Sequence, residues 1–234
     1  MISLLAGVSL ATLALLGVGP AGGNPIPSVI QTATSTAPDT FDTTKSITLP
    51  ATITAGSKLL CIINETNQST TPTPPSGWTL VSGGSETSTA NKLFLYEKTA
   101  SGSEGGTTLT WTFSGNCIAN IHFYELSLPN NQIEVTFATA TDDPPNHTPS
   151  AGTNDYIFIA VACSRQNTMN ADAAPLGYSN LIYTESSTTN SSSNGEVAMA
   201  TARVFKNAVP SENPDAFTWT GARDTPIAAT ISAR

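Results

Sequence analysis

In Thr108-Leu109-Thr110-Trp111-Thr112-Phe113, apolar and hydroxyl side chains alternate without a break. A period of two puts Leu109, Trp111 and Phe113 on one face and three threonines on the other, the pattern of a half-buried β-strand. A Gly/Ser loop joins this strand to a second one over Lys92–Lys98 (KLFLYEK). Other runs predict further strands. Lys58–Asn64 (KLLCIIN) is apolar throughout, and Cys117–Leu126 (CIANIHFYEL) alternates, with Cys117, Ile121 and Phe123 on one side and Asn120, His122 and Tyr124 on a polar side. Gln132–Ala138, Asp155–Cys163, Glu196–Lys206, Phe217–Thr220 and Ile227–Ile231 complete the set, and Ile47–Leu49 alternates like an edge strand. Gly83-Gly84 and Gly105-Gly106 have the composition of turns.

The pattern repeats. Lys98 lies 13 positions before Trp111, and Lys206 lies 13 before Trp219. Ala55-Gly56 is echoed by Ala151-Gly152, and Pro75-Ser76-Gly77-Trp78 by Pro175-Leu176-Gly177-Tyr178. Landmarks in the same order, each separated by Gly/Pro/Ser loops, predict an all-β, jelly-roll-like β-sandwich built from two pseudo-repeated halves, about 50–126 and 150–234. The expected organisation is one sandwich domain over 45–234, preceded by an arm and linker over 1–44. The prolines of Asn24–Pro50 favour extended linker conformations.

Residues 1–23 carry no charged side chain. The run has the length of a signal peptide, but its opening residues lack Lys and Arg, and it is short and Gly-punctuated for a membrane span. The alternative is a retained apolar arm. Left bare, it would form a patch too large for a soluble monomer, so this reading expects copies of the chain or a larger assembly to cover it.

Composition narrows the function. Charged residues make up 11% of the 234, and Lys and Arg number nine against 17 acidic residues, for a formal net charge of −8. That balance disfavours a nucleic-acid partner, which needs clustered cations. Cys61, Cys117 and Cys163 fall in apolar runs without metal-ligand spacing; an odd count leaves at most one bridge, and small buried hydrophobes is the expected role.

Candidate chemistry is sparse. His122 lies on the predicted polar side of its strand and His147 in a loop; neither adjoins a nucleophile motif, and structural or surface roles are expected. Asp142-Asp143 is short of ligands for calcium. Glu65, Glu86, Glu97, Glu104 and Glu125 are scattered, so none pair as a glycosidase acid and nucleophile. Trp111 and Trp219 are expected in the core, and Trp78, after its Pro/Ser turn, is the tryptophan to test for exposure. Catalytic, cofactor and metal residues are therefore assigned to none, and the expectation is a protein that is not an enzyme.

Pro50 with Ala55-Gly56-Ser57-Lys58-Leu59-Leu60, Pro75-Ser76-Gly77-Trp78-Thr79, Tyr96-Glu97-Lys98-Thr99-Ala100, Thr110-Trp111-Thr112 and Tyr124-Glu125-Leu126 together resemble a family of bacteriophage β-sandwich proteins labelled as tail or capsid-decoration components. The resemblance covers about residues 45–234. It implies a non-enzymatic virion structural protein, capsid-decorating or tail-accessory, whose partners are other virion proteins and its own copies. A secreted or cell-surface adhesin or carbohydrate-binding module, with residues 1–23 as signal peptide and Trp78 in the binding patch, is the alternative. A hydrolase joining His122 or His147 to a carboxylate and a nucleophile is a third.

Overall fold

The computed structural model describes residues 26–35, 41–66, 71–165, 170–186, 196–221 and 224–234. The segment 1–23 lies outside them. The described chain is all β. The first half supplies β1 (Ser28–Thr34), β2 (Asp42–Thr48), β3 (Lys58–Glu65), β4 (Thr79–Thr87), β5 (Lys92–Thr99), β6 (Thr108–Cys117) and β7 (Ala119–Ser127). The second half supplies β8 (Ile133–Thr139), β9 (Asn154–Ser164), β10 (Asn170–Ala173), β11 (Ser179–Glu185), β12 (Ala198–Val209), β13 (Thr218–Thr220) and β14 (Ile227–Ala233). No described helix is long and apolar enough to cross a membrane.

Two five-stranded antiparallel sheets, ordered β1-β7-β3-β5-β4 and β8-β14-β9-β12-β11, form the centre. Strand for strand the orders match. The two-stranded ribbon β2-β6 packs on the outer face of the first sheet, and β10-β13 on that of the second. Each half is thus a small jelly-roll-like sandwich, and the inner faces of the two large sheets share one core. Leu60, Ile62, Leu93 and Leu95 meet Ile157, Ile159, Val161 and Ile231 there. This explains the unbroken apolar run of β3, which has protein on both faces and is buried at every position.

Pairing registers make the equivalence residue-specific. Leu60 is flanked by Glu97 and Tyr124, and Ile157 by Phe205 and Ala233. Glu97 and Phe205 immediately precede Lys98 and Lys206, which close matching ion pairs with Glu104 at 3.0 Å and Glu212 at 3.1 Å. The Pro-x-Gly turns agree too. Gly77 and Gly177 both take φ +81°, a left-handed backbone that glycine adopts without a side-chain clash, and the Trp78 and Tyr178 amides donate back to Pro75 and Pro175. Across the shared core β4 lies against β8, and β7 against β12.

Three expectations are corrected. The linker assigned to 24–44 contains β1, hydrogen-bonded to β7, and the start of β2. Its hydroxyl-rich sequence pairs as a sheet edge because an edge strand needs only one buried face. Gly83-Gly84 is no turn but a bulge within β4, whose register against β5 shifts between Leu80 and Ser85. A Cβ on Gly84 would stand 2.7 Å from the Val81 carbonyl oxygen, so the bulge requires glycine there. The third concerns the polar side of β7. Asn120, His122 and Tyr124 are fully buried, because that side faces the second sheet and not solvent.

Candidate functional site: a polar seam between the sheets

Where β7 meets β11 and β12, the shared core turns polar. His122 Nδ1 lies 3.0 Å from Thr201 Oγ1, and its Nε2 lies 2.9 Å from Thr184 Oγ1. Tyr124 donates its hydroxyl to Thr201 at 2.7 Å. Thr201 Oγ1 is thus shared by the Tyr124 hydroxyl and the His122 ring, and both ring nitrogens meet hydroxyl oxygens. Asn120 donates its side-chain amide to the Thr184 carbonyl at 3.0 Å, and Asn64 donates to that of Ala198 at 3.2 Å. These bonds tie the two halves together through their side chains. Burial pushes the His122 pKa down to about 3, so the ring is no general base at neutral pH.

The pseudo-two-fold shows how local this polarity is. Carrying the β3/β9 registers across, Tyr124, His122 and Asn120 of β7 take the places of Ala233, Ile231 and Ala229 of β14. Thr201 and Arg203 likewise take the places of Leu93 and Leu95. The Arg203 end of the seam opens into a groove of about 270 Å³ lined by Ser28, Val29, Ile157, Ser179, Arg203 and Phe205, among others.

His147 is clamped in the same way, against the outer face of the second sheet. Its Nδ1 lies 2.8 Å from Thr136 Oγ1 and its Nε2 lies 2.8 Å from Ser232 Oγ. A serine on a histidine is the start of a nucleophile–base pair, but the second ring nitrogen meets a threonine hydroxyl where a triad has a carboxylate. His147 is 3% exposed and Ser232 is 2%. Burial lowers the His147 pKa, and the charge of Glu134 opposes that only in part.

The other candidates are dispersed. Glu97 pairs with Lys58 at 3.2 Å. Burial raises the Glu104 pKa, but the Ser101 amide, Lys98 and the Ser101 hydroxyl outweigh it and hold the group down to about 2. Glu125 is buried, accepting from Gln31, from the Thr54 amide at 2.7 Å and from Ser57 Oγ at 2.9 Å. Asp142 is half-buried and Asp143 exposed. All three cysteines are free thiols in the core. Trp78, placed in the binding patch by the adhesin alternative, is 4% exposed and packs edge-on against Trp111, with ring centroids 5.7 Å apart, so it offers no stacking platform for a sugar.

Sequence reasoning missed the seam and the groove. Asn120, His122 and Tyr124 were visible as one face of a strand, but nothing in the sequence said that a second sheet would cover it. Arg203 stands in an alternating strand that looks solvated. Comparison with protein-family models, with curated proteins and with solved structures finds no match.

Proposed function

We propose that this protein is a non-enzymatic structural component of a larger assembly, of the bacteriophage virion kind its motifs resemble, attached through residues 1–23. The observation that carries this is the exposed apolar surface at the first described residues of the sandwich. Ile26 is 55% exposed, and Ile30, at the bulge of the edge strand β1, is 43% exposed. Apolar surface is thus present at the described start of the chain, and the 23 opening residues of the sequence carry no charged side chain. The outer face of the first half suits a solvent-facing shell. On the β2-β6 ribbon, Ser46 meets Thr110 at 2.8 Å and Thr48 meets Thr108 at 3.1 Å, a hydroxyl ladder on the outer face.

The test follows the full chain, and a chain lacking residues 1–23, through particle purification from producing cells. The full chain should co-sediment with particles, and the shortened chain should stay behind with an unchanged far-UV circular dichroism spectrum. Recovery of the protein away from particles, with its opening residues removed, would overturn the reading in favour of a secreted adhesin.

A further inference from the structure

The two seams of the sandwich are related by the pseudo-two-fold, and they differ. At one, β4 closes against β8 and Leu95 is fully buried in the shared core. At the other, β1 and β11 occupy the corresponding places, and Arg203 stands where Leu95 stands. β1 is not packed against β11 as β4 is against β8, and the groove lies there. At the closed seam this position is a leucine, and Leu93 and Ile231 stand where Thr201 and His122 stand at the open one.

Arg203 has no salt-bridge partner among the described residues, and its buried Nη1 has no hydrogen-bond partner. Leaving a guanidinium donor desolvated and unpaired is costly, and most buried cations are matched by an anion. The other groove walls fall into two kinds. Val29, Ile157 and Phe205 are apolar, and Ser28 and Ser179 are short hydroxyl residues.

We propose that this groove is a binding site for a monocarboxylate carrying a short apolar group. Arg203 takes the carboxylate through its planar pair of N–H donors, the serines stand beside the head group, and Val29, Ile157 and Phe205 cover the tail. A single cation on a chain of net charge −8 suits one negative charge, whereas a phosphate dianion calls for more than one. The groove uses described residues of the sandwich, and it shares the β1 edge with the proposed attachment surface, since Ser28 and Val29 lie between the exposed Ile26 and Ile30.

The experiment is a titration of the ¹⁵N-labelled full chain with sodium hexanoate and, separately, with 1-hexanol, followed by amide chemical shifts. Hexanoate should give saturable shifts at Val29, Ser179, Arg203 and Phe205 in the millimolar range, and hexanol should give none there. Arg203→Leu, which copies the closed seam, should keep the fold and abolish the response. Arg203→Lys, which keeps the charge but loses the fork, should weaken binding about tenfold. It also carries the test if the leucine variant does not fold. An absent response to hexanoate, an equal response to hexanol, or undiminished binding by Arg203→Leu would overturn the proposal.

Discussion

Trp111 and Trp219 hold the same place in the two halves, yet Trp111 is fully buried while Trp219 is only partly covered. The ribbons around them account for the difference. Trp111 belongs to the long β2-β6 pair and packs against Trp78 and Tyr96, at centroid distances of 5.7 and 6.3 Å. Trp219 lies on the three-residue β13, beside Tyr183 and Phe217 at 6.1 and 5.9 Å. Trp111→Ala should therefore cost about 3–5 kcal/mol, the range for a buried large aromatic. Trp219→Ala should cost about 1–2 kcal/mol, in keeping with partial burial. Urea denaturation of the two variants measures this, and a larger loss from Trp219→Ala would contradict the layering.

Much of the fold was legible because its signals are local. Strict alternation over Thr108–Phe113 marked the inner face of a ribbon, and the apolar run of Lys58–Asn64 marked a strand buried on both sides. Repetition of Gly56, Gly77, Lys98 and Trp111 by Gly152, Gly177, Lys206 and Trp219 revealed the duplication, since turns and ion pairs need particular residue types. β1 was not legible, because SVIQTAT has the composition of a linker and its pairing partner lies about a hundred residues away. The polar seam was hidden for a related reason. His122 looks solvent-facing until the second sheet supplies Thr184 and Thr201 across the core.

The two histidines should make stability depend on pH above the range where carboxylates titrate. Burial, the main cause in both cases, lowers the folded-state pKa, to about 3 for His122. The unfolded chain, with values near ~6.5, therefore binds protons first. The His122 contribution is full above about pH 6.5 and is lost as pH falls from there toward about 3, with a limiting slope of about 1.4 kcal/mol per pH unit, and His147 adds in the same direction. Denaturant unfolding between about pH 6 and 5 should show this slope, and His122→Gln should make it shallower by about 1 kcal/mol per pH unit. A slope unchanged in that variant would contradict a neutral, hydroxyl-clamped His122.

Thiol chemistry offers an independent check on the core. Burial raises the pKa of Cys61 well above its ordinary value, and pushes Cys117 and Cys163 up to about 12. Cys163 also donates to the Ile227 carbonyl at 3.4 Å. Ellman's reagent should titrate none of the three in the native protein and all three after unfolding, because the thiolate is the reactive form. Rapid labelling of any one of them under native conditions would contradict the packing around it.

Native mass spectrometry of the intact protein bears most directly on the assembly role. The expected species is an oligomer whose subunits each keep the full 24.2 kDa, residues 1–23 included, and which falls to monomers when that segment is deleted. A lone monomer of full mass, or subunits lacking the opening residues, would contradict attachment through an apolar arm.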